Sequence, residues 1–545
     1  MMKSLALASV LLAHRAAAVH LSGGVQMVPP PLEDDRVGIQ KRSTGQATFQ
    51  QLIDHDHPEL GTFSQQFWWS DEFYAGPGSP VVFFTPGEAA AAPYTGYLTN
   101  RTITGLFAQA IGGAVVIMEH RYYGTSSPYT VLTSANLSLL NLPQSIADTT
   151  YFANNVQLPF DTNGSSNAGS APWVFSGGSY SGALSAWVES VDPGTFWAYH
   201  ASSAVVEAVG DFWEYFHPVQ LGMPKNCSTD VSKVINYVDK ILKGDDAAAK
   251  QSLKEKFGLG GIVHDDDFAS ALENGPWNWQ GNSFTSGYSG FYQWCDYVEN
   301  AGPAFPNNTV PGEEGVGLCK ALNGYAKWTK EIMLPGYCAG YGYDEWTDDL
   351  EVGCFDTYNA SSPIFTDIRL DNNVNRQWNW FLCNEPFKYW QNGAPADRPS
   401  IVSRLVNNAY WERQCSLFFP EDTYGIAQGK DVDDVNAYTG GWFHTNTTRL
   451  IWTNGQFDPW LDATVSSSFR PGGPFEGTPE APVQVIPKGI HCSDLLARNG
   501  AANAGVQQVI DNEIAVIKGW VDEYYDLKGR RKLGDHQYSH GYFCG

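Results

Sequence analysis

The sequence predicts an α/β fold, a doubly covered parallel sheet interrupted by a mainly helical insertion. Three observations carry this. Short apolar runs alternate with helical patterns over residues 45–204 and again over 426–545, the mark of strands buried on both faces. Between them, over residues 205–425, strand-like runs vanish, tryptophans and turn residues multiply, and seven of the nine cysteines occur. The chain has 545 residues, more than one ordinary core supports.

Composition narrows the function. With 43% hydrophobic, 14% aromatic and 17% charged residues, the chain is neither disordered, collagenous nor a coiled coil. Its 33 Lys+Arg against 58 Asp+Glu give a formal charge of −25, which opposes nucleic acid and anionic membranes as partners. Such a surface loses self-repulsion as its carboxylates protonate, which suits an acidic medium.

In chain order, Lys3, the apolar residues 5–13 and Ala16-Ala17-Ala18 predict a signal peptide over residues 1–18, too short to span a bilayer. No later apolar run reaches spanning length, so an exported, soluble protein is expected, extracellular or in a vacuole-like compartment. Residues 19–44 read as a flexible arm or pro-segment, with Lys41-Arg42 either a processing site or an ordinary basic pair.

Strands follow at Val81-Val82-Phe83-Phe84, ended by Pro86-Gly87, at Ala114-Val115-Val116-Ile117-Met118 and at Trp173-Val174-Phe175. The insertion carries charged helical stretches such as residues 231–257. Leu450-Ile451-Trp452 and Val483-Gln484-Val485-Ile486 resume the sheet, and a helical pattern over residues 513–525 closes it.

Seven sequons, at Asn100, Asn136, Asn163, Asn226, Asn307, Asn359 and Asn446, predict a glycosylated surface on an exported chain. The cysteines lack zinc-type spacing and are expected to pair mostly as disulfides. With an odd count, at least one thiol stays free or pairs between chains, the latter allowing a homodimer.

The most informative segment is Trp173-Val174-Phe175-Ser176-Gly177-Gly178-Ser179-Tyr180-Ser181-Gly182. An apolar strand enters a tight turn of small residues and a helix begins, which is the setting of a nucleophile elbow with Ser179 at its tip. Ser181 stands where that pattern prefers glycine. In such a fold the acid and then the histidine follow the serine along the chain. Asp458, locked beside Pro459 at the tip of the strand Leu450-Ile451-Trp452, is the acid; Asp462 is its nearby rival. His491, directly after the next strand, is the base, because His536 and His540 lie in a polar tail. The Tyr180 N–H and one from Gly87 or Glu88 would form the oxyanion hole. His55-Asp56-His57 lacks a third ligand and reads as a structural loop, and His264-Asp265-Asp266-Asp267 as a solvated acidic turn. No metal site, phosphate loop or dinucleotide fingerprint is found, so no cofactor is expected.

These residues resemble a known family. Gln51-Leu52-Ile53-Asp54-His55 with Gly61-Thr62-Phe63-Ser64-Gln65, then Glu119-His120-Arg121-Tyr122-Tyr123-Gly124, Gly177-Gly178-Ser179-Tyr180, Asn454-Gly455 with Asp458-Pro459-Trp460, and Gly489-Ile490-His491 are similar to the prolylcarboxypeptidase and dipeptidyl peptidase II family of serine peptidases, in order over about residues 48–525. The resemblance is closest to its secreted fungal acid prolyl endopeptidase branch. It implies an α/β-hydrolase domain with a helical cap, cleavage of proline-containing peptides on the carboxyl side of proline, and Ser179, Asp458 and His491 as the triad. The block Arg376-Gln377-Trp378-Asn379-Trp380 resembles the family's Trp-rich segment facing the site. Many members read Gly and Met where this chain has Ser181 and Ala183, which leaves pocket details open.

A flat, apolar proline ring suits a pocket walled by Trp460 and by Trp378 or Trp380, a burial of about 1–3 kcal/mol. A carboxypeptidase needs a cation for the substrate carboxylate, a dipeptidyl peptidase needs acids for the amine, and an endopeptidase needs neither. Glu88 fits exopeptidases of both kinds and does not choose. An esterase or lipase with the same triad, or an inactive binding protein, are the alternatives. Burial of His491 under the cap is expected to outweigh Asp458 and keep the imidazole neutral in acid.

Overall fold

The computed structural model describes residues 28–32 and 43–529. The expected signal peptide, Lys41-Arg42, His536, His540 and Cys544 lie outside them. The chain runs through strands β1 (Thr44–Leu52), β2 (Thr62–Ser70), β3 (Val81–Phe84), β4 (Ala114–Met118), β5 (Trp173–Gly178) and β6 (Ala198–Ser202). A short pair follows, β7 (Val209–Asp211) and β8 (Lys388–Trp390), and then β9 (Leu450–Gly455) and β10 (Val483–Ile486). Eight of these form one sheet in the order β1-β2-β4-β3-β5-β6-β9-β10. From β4 to β10 the neighbours are parallel; β1 and β2 add an antiparallel edge. This is an α/β-hydrolase sheet.

β3, β4 and β5 are buried along their whole length, because helices cover both faces. On one face Val82, Val115 and Val174 pack against Ile103, Phe107, Ile510 and Ile517, from the helices Ile103–Ile111 and Ala504–Leu527. On the other, Phe83, Val116 and Phe175 meet Ile146, Phe152, Leu184 and Trp187, from the helices Leu142–Asn155 and Tyr180–Val191. β1 and β2 alternate exposed and covered residues, as an edge hairpin half in water must.

The insertion leaves the sheet after β6 and returns at β9. Its aromatic core is continuous with the second face of the sheet, so the cap is seated by shared packing. Three disulfides tie it internally: Cys227–Cys295, Cys338–Cys354 and Cys383–Cys415. Cys319, exposed, and Cys492, buried, are unpaired. The single stretch expected over residues 231–257 is two helices, Lys225–Leu242 and Ala247–Lys256, because Asp246 caps the second by accepting the Ala249 N–H. The arm is also more fixed than a flexible linker at residues 28–32. Pro29 is buried, the Pro30 carbonyl accepts the Tyr97 hydroxyl at 2.9 Å, and the Leu32 carbonyl accepts the Gly96 N–H at 2.7 Å.

Candidate active site

The site begins at the turn between β5 and the helix Tyr180–Val191. Ser179 sits there with φ 62° and ψ −128°, a left-handed backbone that lifts its hydroxyl off the strand end. The turn tolerates only small neighbours. A Cβ on Gly177 would lie 2.0 Å from the Ser181 carbonyl oxygen, and one on Gly182 would lie 2.7 Å from that of Ser202. Ser181 explains its own departure from glycine: its hydroxyl donates to the Gly178 carbonyl at 2.8 Å and accepts the Gly178 N–H at 3.0 Å, strapping the turn.

Beyond β9 the chain turns at Asp458, whose N–H bonds the Gly455 carbonyl at 3.2 Å. The Phe457 N–H reaches the Gly489 carbonyl at 2.8 Å, which locks this turn to the loop after β10. Gly455 permits the approach, since a Cβ there would lie 2.5 Å from the Ile490 carbonyl oxygen. The three side chains therefore meet. His491 Nε2 is 2.8 Å from Ser179 Oγ, and His491 Nδ1 is 3.0 and 3.1 Å from the two Asp458 oxygens. One Asp458 oxygen also accepts the Trp460 N–H at 2.9 Å. Ser179 and Asp458 are 0% exposed and His491 8%. Such a relay can move a proton from the hydroxyl to the imidazole. Asp462 is committed elsewhere, to Ser467, Ser468 and His217.

Burial pulls the His491 pKa down, but Asp458 and Cys492 together raise it, and the net shift is well above the ordinary histidine value. The expectation that the cap would keep this imidazole neutral is reversed. Burial is the largest single influence, but the Asp458 carboxylate at 3.0 Å and the Cys492 sulfur beside the ring together outweigh it.

The loop after β3 crosses the start of the same helix. Gly87, at φ 79°, leaves no room for a Cβ, which would fall 2.8 Å from Tyr180 Cδ1. Its N–H donates to Thr85 Oγ1 at 3.3 Å, so this candidate oxyanion donor is already engaged. Glu119 fixes this loop by accepting the Ala91 N–H at 3.0 Å and the Ser126 hydroxyl at 2.7 Å.

Aromatic rings line the cap side. Trp460 stacks on Phe212, meets Tyr215 and Tyr389 edge-on, and donates its indole N–H to Gln280 at 2.8 Å. Trp378 lies against Tyr180 and Phe387. Trp380 points away: its N–H bonds the Leu140 carbonyl at 2.9 Å and its ring meets Phe419. Residues two apart on a helix face nearly opposite sides, so Trp378 and Trp380 do not wall one pocket.

His120, Tyr389 and Gln280, which touch Tyr180 or Trp460, do not stand out in the sequence as site residues. His120 Nε2 lies 3.1 Å from the Tyr180 hydroxyl, and burial pushes His120 down to about 4. Its place in the motif Glu119-His120-Arg121 was the available signal.

His55 and His57 hold separate carboxylates, Asp148 at 2.8 Å and Asp54 at 3.0 Å, as a structural loop does. The acidic turn is not fully solvated. Asp267 is buried because Thr357 donates both its N–H and its hydroxyl to it. None of the seven sequon asparagines is buried.

Comparison with known proteins adds the family. The model described as serine carboxypeptidase S28 matches residues 50–509. A serine protease of Bipolaris victoriae, vicPa, is 41% identical over 92% of this chain and 92% of its own. A probable extracellular serine carboxypeptidase of Arthroderma benhamiae is 30% identical over 79% of this chain and 59% of its own. A lysosomal Pro-X carboxypeptidase of Pongo abelii is 22% identical over 89% of each chain.

Proposed function

The chain belongs to the serine carboxypeptidase S28 family of serine peptidases, and from that premise we propose that it is an exported enzyme cutting peptide bonds on the carboxyl side of proline through an acyl-enzyme. The observation that carries this is the unbroken chain Ser179–His491–Asp458 at 2.8 and 3.0 Å among buried side chains.

Ser179 Oγ attacks the carbonyl carbon that follows the proline ring, while His491 Nε2 takes the hydroxyl proton. Asp458 holds the Nδ1 hydrogen and stabilises the imidazolium that results. The Tyr180 and Glu88 N–H groups receive the oxyanion. His491 returns the proton to the leaving amine, the C–N bond breaks, and a seryl ester remains. Water, deprotonated by His491, then attacks that ester and frees the carboxylate and Ser179.

Proline is supported by the similarity to a relative named for Pro-X carboxypeptidase activity. Export is supported by the N-terminal signal-like segment, three disulfides, sequons that are not buried, and a relative named extracellular. No helix among the described residues is long and apolar enough to cross a membrane. An active-serine phosphonate tests the nucleophile: it should modify Ser179, and modification elsewhere would defeat the assignment.

A further inference from the structure

Behind the site lies a second ionisable cluster that the proposed chemistry does not use. His200 on β6, Asp494 in the loop after His491, and Glu513 on the helix Ala504–Leu527 converge with no more than 1% exposure each. His200 Nε2 lies 3.4 Å from an oxygen of each carboxylate. His200 Nδ1 lies 2.9 Å from Ser176 Oγ, Ser202 donates its hydroxyl to Asp494 at 2.6 Å, and the Thr453 hydroxyl bonds Glu513. Hydroxyls already occupy one oxygen of each carboxylate, an arrangement that suits a shared proton.

The cluster reaches the site through two serines. The Ser202 carbonyl accepts the Ser179 N–H at 2.9 Å, while its hydroxyl holds Asp494, three residues past His491. Ser203 Oγ accepts the Cys492 N–H at 2.9 Å. Nucleophile turn and histidine loop are thus pinned to the same strand end, and the cluster fastens one of the pins.

Charge decides when the fastening holds. A cationic His200 balances one carboxylate. A second ionised carboxylate would leave a net negative charge among side chains no more than 1% exposed. We propose that His200, Asp494 and Glu513 are positioning residues, a buried bracket that holds the His491 loop against the nucleophile turn only while Glu513 carries a proton. This rests on the reading of His491 as the base.

The directions agree. Burial pulls His200 down, but Glu513 and Asp494 outweigh it and raise it to about 9. Burial, then the Asp494 charge, raises Glu513 above the ordinary carboxyl value. Both groups bind protons more tightly in the folded state, so both stabilise it at low pH. As pH rises, Glu513 loses its proton first and His200 near 9. The other titratable groups facing the cluster stay neutral: burial raises the Cys492 thiol and the Tyr97 phenol. Phe107 closes the side toward the helix Ile103–Ile111 without charge, and Arg498, which faces Tyr97, is exposed.

The test compares the wild type with Glu513→Gln, a neutral isostere of the protonated acid, and with His200→Gln. Phosphonate labelling rate and Tm are measured on each from about pH 4 to 8. Glu513→Gln should shift the alkaline fall of Tm upward by about one pH unit or more and label within about twofold of wild type at the pH where the wild type labels fastest. His200→Gln should lower the labelling rate about tenfold across the range. An unchanged alkaline fall in Glu513→Gln overturns the bracket, and its Tm decides this even if His200→Gln fails to fold. A wild type that never labels would defeat the serine reading instead, with Tm still judging the bracket.

Discussion

The hydrolase half and the insertion both bury carboxyl groups, but those pushed up to about 7 lie in the insertion or at its entry, whereas in the hydrolase half Asp148 and Asp458 meet Arg121 and His491, and Glu119 and Glu513 are raised. In the hydrolase half, Asp148 is fully covered yet bonded to the Arg121 guanidinium at 2.6 and 2.7 Å. Burial would raise its pKa, but Arg121 outweighs burial and holds it below the usual carboxylate value. Asp458 is likewise matched to His491. In the insertion, Glu299 and Asp267 are pushed up to about 7, by burial above all, and Glu273 goes higher still. Glu207 and Glu214, where the chain enters the insertion, also reach about 7. Paired carboxylates give a fold indifferent to moderate pH; unpaired ones make it acid-dependent. The carboxyls that titrate near 7 make the cap and its entry acid-dependent, as Glu513 does behind the active site.

The largest expected effect concerns chemistry rather than stability. Ser179→Ala should abolish turnover, by about 10⁴-fold or more, and leave Tm unchanged, because alanine suits the turn. His491→Ala should cost a similar factor, since the members of such a unit act together. Turnover that survives in Ser179→Ala but is lost in Ser181→Ala would move the nucleophile by two residues.

Next comes the pH dependence of stability. The raised carboxyls stabilise the folded state fully below their unfolded values and lose that contribution as pH climbs through about 7. Calorimetry should find Tm falling by roughly 5–10 °C between about pH 5 and 8. Hydrogen exchange should locate the first loosening in the insertion. Asp148 carries the opposite sign, so its contribution is lost only as pH drops through its lowered value. Loosening that starts in the sheet would break the contrast.

The two tryptophans of one helix sharpen it further. Trp378→Ala should lower kcat/KM on proline substrates by about tenfold, whereas Trp380→Ala should lower Tm and leave kcat/KM of the folded enzyme within about twofold. The smallest effect is Glu273→Gln, which removes a buried carboxyl served only by Ser270 at 3.3 Å. It should raise Tm by about 1–3 °C near pH 8 and change nothing in acid.

Strands buried on both faces were legible because water never marks them with polar residues: β3, β4 and the first half of β5 are plain apolar runs. β1 and β2 were not, since Thr, Gln and Ser on their wet face break the run. β6 reads Ala198-Tyr199-His200-Ala201-Ser202, and its polar members serve the cluster behind the site, a purpose invisible without the fold. Chain order selects Ser179, Asp458 and His491 because the hydrolase topology delivers such side chains in sequence, and the structure brings these three within 2.8–3.1 Å. The pocket was less legible. Helix phase separates Trp378 from Trp380, and Tyr389 and Gln280 arrive from distant parts of the insertion.

One measurement bears most directly on the proposed reaction. Peptides with a single proline, with free and with blocked ends, are incubated with the wild type and with Ser179→Ala, and the products are identified by mass. The account predicts cleavage by the wild type on the carboxyl side of proline in at least one of the peptides, and none by Ser179→Ala. Cleavage at other bonds, or equal cleavage by both proteins, would contradict it.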